Sequence, residues 1–412
     1  MDTTRWKLFA MMALQFFIWG AWLPLIWPYM GGLGFDGTQQ AWVGSAFAIA
    51  SIVGIFFSNQ FADRSFSAER FLAFSHLIGG LAMFGLYYSV ELSEMLGASV
   101  FATFLTCMLV HSLFYVPTIS VTNSLAFAHL DDPARQFGPV RIGGALGWIL
   151  AAWPLFFLLD EGSGWEAKKA IFMIAGVASL VMAAYSLTLP HTPPRPATTA
   201  EDRFAWLKAG RQLAKPFVLV LFIVTFIDAT IHAGYFKLTG GFLGAVGFED
   251  KWHMPIMSLG QIAEIGAMAV LGLVLAKLGW RTTMVIGVLG HAVRFGVFAL
   301  LPDVPAAIVV VQVLHGVCYA FFFATVYIFV DAVFPKDVRS SAQGWFNLLI
   351  VGLGDLAANW LFLPLVDDLT VDGKTDYQTL FALPIGMSLV GALLLALFFR
   401  PPQSGRAADS SG

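Results

Sequence analysis

The sequence predicts an all-α integral membrane protein of twelve transmembrane helices. Three observations carry that prediction. Of the 412 residues, 58% are hydrophobic and only 12% are charged, whereas a soluble domain is about 25% charged. The apolar runs, Phe217 to Thr230 for example, are long and do not alternate, which argues against the roughly 10-residue alternating strands of a membrane β-barrel. At roughly 20 apolar residues per crossing, the chain is long enough for twelve helices, short loops, one linker and a tail. The same balance excludes an ordinary cytosolic enzyme and a disordered protein. With a formal net charge of -3 and no basic stripe, it also excludes a nucleic-acid partner.

Arg5 and Lys7 precede the first apolar run, which continues through Trp19, Trp22 and Trp27 to about Met30. No small-residue cleavage site interrupts it, so it reads as a retained span and not as a secretory signal. The twelve spans fall at 7–31, 41–62, 71–91, 97–127, 138–159, 168–190, 216–239, 254–278, 282–301, 304–333, 341–366 and 378–400. The fourth and tenth are long, so tilt or extension beyond the bilayer is expected there. Of 23 Lys and Arg residues, 16 lie on the side that holds both termini and four lie opposite. The positive-inside rule then places both termini in the cytoplasm. Cys107 and Cys318 sit inside apolar runs and read as small core residues, neither a zinc site nor a disulfide framework.

The longest hydrophilic break, 191–215, carries Pro and charge and divides the chain nearly in half. It reads as a cytoplasmic linker between two six-helix bundles, 1–190 and 216–400, with 401–412 a disordered cytoplasmic tail. The halves share weak similarity. Asp63 and Arg64 after the second span match Lys277, Gly279 and Arg281 after the eighth, and Arg135 and Gly138 match Arg339 and Gly344, at offsets of 214 and 204 residues. Two parallel repeats of six spans describe the major facilitator architecture, with its substrate site near the midplane between the halves. The charged turns are expected to latch the bundles in one access state, or else to be ordinary solvated loops.

A charge at mid-bilayer costs about 2.5–3.5 kcal/mol even on the insertion scale, so intramembrane polar residues mark partners or a wet cavity. Gln261 and Glu264 are three apart in the eighth span and share a face. The carboxylate can take and release a proton, and the amide can donate to and accept from a polar ligand. Arg141 opens the fifth span beside Gly143, Gly144 and Gly147, which strip side chains from that helix. Snorkelling to the interface is its alternative role. Trp148, seven residues on, returns to the same face and can stack on a flat ligand. Asp228, His232 and Tyr235 form one stripe of the seventh span, spaced four and then three apart. They suggest a cavity wall in which Asp228 sets the charge of His232, or a buried, satisfied pair. Lys237 is expected to snorkel outward. Tyr319 lies in an aromatic run of the tenth span, Asp355 and Asn359 are a candidate hydrogen-bonded pair, and Arg294 could answer one of the acids. No P-loop, metal motif or nucleophile elbow is present. The sequence therefore predicts no ATP-driven pump, no enzyme, no cofactor and no metal.

Together Gln15, Trp19, Gly20 and Trp22, then Tyr115, Pro117 and Thr118, then Arg141 with its glycines, Gln261 with Glu264, and Arg339, Ala342, Gln343 and Gly344 resemble the nucleoside–proton symporter family of the major facilitator superfamily. The resemblance covers nearly the whole chain. It implies proton-coupled uptake of nucleosides, or a similar small polar solute, across the bacterial inner membrane by a monomer in the lipid bilayer. It implies a substrate site at Arg141, Gln261 and Glu264, with Trp148 and Tyr319 stacking on the base. The chain departs from the family pattern in three places. The amide pair of the seventh span becomes His232 and Tyr235, an intramembrane aspartate of the tenth becomes Ala320, and a threonine of the fifth becomes Ala145. Asp228 is the candidate relocated proton carrier beside Glu264. A uniporter, a carrier of a nucleobase, modified nucleoside or sugar-like solute, and a non-transporting membrane sensor are the alternatives.

Overall fold

In the computed structural model the described residues are 2–159, 164–194, 210–334 and 339–401. Ten helices among them are long and apolar enough to cross a membrane. One, Asp250–Leu300, has 51 residues and breaks at Gly279, where φ is +70°. A side chain there would be strained, so the glycine lets the chain turn back between two spans. Counting this helix as two and adding Gly37–Ser65 gives twelve.

In chain order these are α1 (Thr3–Gly32), α2 (Gly37–Ser65), α3 (Ala68–Tyr87), α4 (Val100–Ala128), α5 (Pro133–Ala151, continuing in Trp153–Leu158) and α6 (Ala170–Ser186). The second half holds α7 (Pro216–Ala245), α8 (250–278), α9 (280–300), α10 (Pro305–Val333), α11 (339–368) and α12 (Tyr377–Phe398). Local chemistry sets the ends. Asp2 caps α1 by accepting from the Arg5 backbone N–H at 2.8 Å. Pro216 starts α7, where a missing N–H costs nothing. α1 breaks between Trp22 and Ile26, where Pro24 and Pro28 each deny the helix a donor. α10 and α11 each contain a π-helical turn, Tyr319–Ala324 and Leu348–Leu353. A short hairpin, Thr370–Val371 with Lys374–Thr375, joins α11 to α12 through Asp372 and Gly373, both at positive φ.

The apolar core divides with the chain. One cluster is built almost wholly from residues between Leu8 and Leu189, and two others from residues between Val218 and Phe399. Small residues bring α1 and α5 to backbone contact: a Cβ on Gly147 would collide with the Ala13 carbonyl, and one on Gly143 with that of Phe9. Gly147→Ala is therefore expected to destabilise the fold by about 1–3 kcal/mol, the usual cost of overpacking. A lowered melting temperature in detergent would show it, and an unchanged one would mean that the helices can separate.

At the end away from both termini the halves are zipped together. Lys168 pairs with Asp250 at 2.7 Å. The Gly37 N–H donates to the Asp367 carboxylate, and Trp360 Nε1 donates to Ser45 Oγ at 3.0 Å. Phe156 meets Trp252 edge-on at 4.9 Å. At the other end, Glu69 accepts from the Thr192 N–H at 3.0 Å and pairs with His191 at 2.7 Å, tying α3 to the segment that follows α6. Side chains of the turn residues Asp63, Arg64, Arg135 and Arg339 lie outside the described set. So do linker residues 195–209 and tail residues 402–412.

Candidate functional site

Where the halves meet, glycines again set the geometry. Cβ atoms on Gly260 and Gly316 would collide with His315 and with the Glu264 backbone, so α8 and α10 run in contact at the level of Glu264. Glu264 faces α5 across this junction. Its charge interacts with that of Arg141, yet the two form no ion pair within 4 Å. The Arg141 guanidinium lies 4.0 Å over the Phe16 ring, in space left by Gly144. Trp148 packs edge-on against Trp19 at 5.5 Å and against Phe236, from the other half, at 5.7 Å. Tyr319 borders the same space, where the charges of both Glu264 and Arg141 reach it. The structure therefore brings together Arg141, Trp148, Gln261, Glu264 and Tyr319. An unpaired acid and an unpaired guanidinium from opposite halves, walled by aromatic rings, can grip a small ligand that has hydroxyls and a flat face.

The stripe on α7 is placed differently. Asp228 and Tyr235 are fully buried and turned toward α9 and α10, not toward the junction. Tyr235 donates to Gln312 Oε1 at 2.7 Å, and its ring lies 3.9 Å under the Arg294 guanidinium. Asp228 faces His291, 3.4 Å away, and does not set the charge of His232 by contact. His232 instead packs against His315 at a tilt, with centroids 4.7 Å apart, and reaches Tyr319 at 6.0 Å. Arg294 answers no acid directly. It donates to the Nδ1 atoms of His315 and His291 at 3.0 and 2.9 Å. His315 in turn sits 3.2 Å from the Gln261 amide. Sequence reasoning missed this assembly, although the i, i+3 pair His291 and Arg294 inside a span was a legible signal.

Two further placements correct or complete the expectations. Lys237 does not snorkel. It is 4% exposed, bonds Asp355 Oδ1 at 2.5 Å and lies 4.9 Å over the Trp27 ring. Asn359 donates to the other Asp355 oxygen at 3.4 Å, the expected i, i+4 pair. In the first half, Gln15 donates to Thr118 at 2.8 Å and contacts His76 Nε2 at 3.0 Å, while Tyr115 donates to the Gln15 carbonyl at 2.6 Å. These motif residues on α1 and α4 thus bond one another inside the bundle.

A family model described as "Nucleoside H+ symporter" matches residues 1–404. The putative nucleoside transporter YegT of Escherichia coli (strain K12) is 30% identical over 97% of this chain and 94% of its own length. The xanthosine permease of the same organism is 28% identical over 96% and 95%. A crystal structure of a mutant of the nucleoside transporter NupG superposes with a TM-score of 0.85 at 25% identity, covering 97% of this chain and all of the other.

Proposed function

The chain belongs to the nucleoside H+ symporter family, and we propose that it imports nucleosides with protons across the bacterial inner membrane, through the junction of α5, α8 and α10. It is a multi-pass membrane protein with the major facilitator fold and a transporter, not an enzyme. One observation carries the site: Arg141 and Glu264 come from opposite halves and face each other without an ion pair. A ligand that bridges them draws the halves together, as alternating access requires. Gln261 and Glu264 bond ribose hydroxyls, Trp148 and Tyr319 stack on the base, and Arg141 supplies cationic donors. His232 stands behind Tyr319, with Tyr235 and Asp228 deeper. Glu264, with Asp228 as a second carrier, takes the proton.

The 16 basic residues on the terminal side support cytoplasmic termini. In that orientation the zipped end faces outward. The two halves, 1–190 and 216–400, rock about the junction within a monomer. Linker 191–215 joins them, and the tail 401–412 follows on the cytoplasmic side.

The test is uptake of labelled uridine and adenosine into proteoliposomes, with and without an inward proton gradient. Accumulation above equilibrium only with the gradient is expected. Equal uptake in both conditions would replace symport by uniport at this site, the outcome that the alanine at position 320 would then explain. No uptake of either nucleoside would remove the substrate assignment.

A further inference from the structure

Four buried side chains, His291, Arg294, His315 and Gln261, lead from Asp228 to the substrate junction, and their polar contacts have one consistent direction. Arg294 is fully buried on α9. A guanidinium can only donate, so His291 and His315 both accept at Nδ1. Each imidazole is therefore neutral and carries its proton on Nε2. His291 Nε2–H then lies 3.4 Å from Asp228 Oδ1, close but not in hydrogen-bond geometry, with both residues fully buried. His315 Nε2–H points at the Gln261 amide, 3.2 Å away. The amide nitrogen is the atom placed there, but two donors cannot face each other, so we assign the amide the reverse way, with its oxygen toward His315 and its NH2 group toward the junction.

Asp228 is the acid whose charge reaches Arg294. Around Asp228 stand His232 on its own helix, His291 and Arg294 on α9, and Cys318 on α10. On α11, Asp355 is engaged by Lys237, and α12 offers only Tyr377, at its outer end. Among the described residues no group of three His, Cys, Asp or Glu is placed to hold a metal.

We propose that His291, Arg294 and His315 are positioning residues that transmit the protonation of Asp228 to the Gln261 amide, so that proton and nucleoside bind interdependently. The proposal rests on the reading of Gln261 as a substrate contact. A proton from solvent adds to the Asp228 carboxylate, forming one O–H bond and removing one negative charge. The guanidinium then faces two neutral imidazoles. With its compensating charge gone, the guanidinium settles differently between them, and His315 and Gln261 shift with it.

Two measurements on the full chain test this. The first needs no substrate: 15N spectra of imidazole-labelled protein reconstituted in lipid. His291 and His315 are expected as Nε2–H tautomers, and Asp228→Asn is expected to shift the His315 resonances. A proton on His315 Nδ1, or His315 resonances unmoved by Asp228→Asn, overturns the proposal. The second compares Asp228→Asn, His291→Gln and the double variant in proteoliposomes. Each single variant is expected to lose gradient-driven uridine accumulation about tenfold while still exchanging external for internal uridine, and the double variant to lose no more, as members of one coupled unit do. Losses that multiply in the double variant overturn the link. If the native chain neither accumulates nor exchanges nucleoside, the substrate reading falls by itself, and the spectra alone decide whether Asp228 and His315 communicate.

Discussion

Glu264→Gln is expected to abolish proton-driven nucleoside accumulation while leaving nucleoside exchange measurable. The amide keeps the size of the carboxylate and can still bond a hydroxyl, so the site is not emptied. It cannot take up a proton, and it no longer answers the charge of Arg141. Loss of a hydrogen bond to a charged group costs about 1.5–3 kcal/mol, so apparent nucleoside affinity should fall about 10- to 150-fold. Accumulation should fall further, because a carrier that cannot bind the proton cannot use its gradient. Proteoliposome uptake with and without the gradient, beside counterflow exchange, separates the two losses. Accumulation at the native level would remove Glu264 from coupling.

The largest effect on stability is expected at Asp355. Its partner Lys237 has a side chain only 2% exposed and lies over Trp27 of the other half. Asp355→Ala leaves that ammonium buried against an aromatic ring and an amide. Breaking a buried pair from one side costs about 3–5 kcal/mol, and the partly exposed aspartate argues for the lower end of that range. A large drop in melting temperature in detergent is expected. The double variant Lys237→Met, Asp355→Leu should recover most of it, because removing both charges removes the penalty. A native melting temperature for Asp355→Ala would mean that Lys237 reaches water.

Helix positions were largely legible because bilayer crossing demands long apolar runs whatever the partners are. The break at Gly279 lies within the turn anticipated between the eighth and ninth spans. Lys237 shows where this reasoning fails. The seventh span was expected to end at 239, which places a lysine within reach of the interface, but α7 continues to Ala245 and holds that residue two turns deeper. Spacing on one helix brought Gln261 beside Glu264 and grouped Asp228, His232 and Tyr235. It could not say which face of α7 meets α9. Hydrogen-bond partners such as Gln15 with His76, or Arg294 with His315, lie far apart in sequence, and only helix packing brings them together.

The π-helical turns of α10 and α11 have a consequence for how this protein tolerates changes in length. Each such turn holds one residue more than the regular i to i+4 ladder needs. The turn in α10 begins at Tyr319, three residues past the contact of Gly316 with Glu264. Deleting Ala320 would let the ladder close as an ordinary α-helix and leave the segment before it in place. The wide turn already absorbs the extra residue, so everything from Phe321 to Val333 would keep its phase around the axis. The surplus residue thus works as slack: α10 can lose it while both ends keep the faces they present to their neighbours.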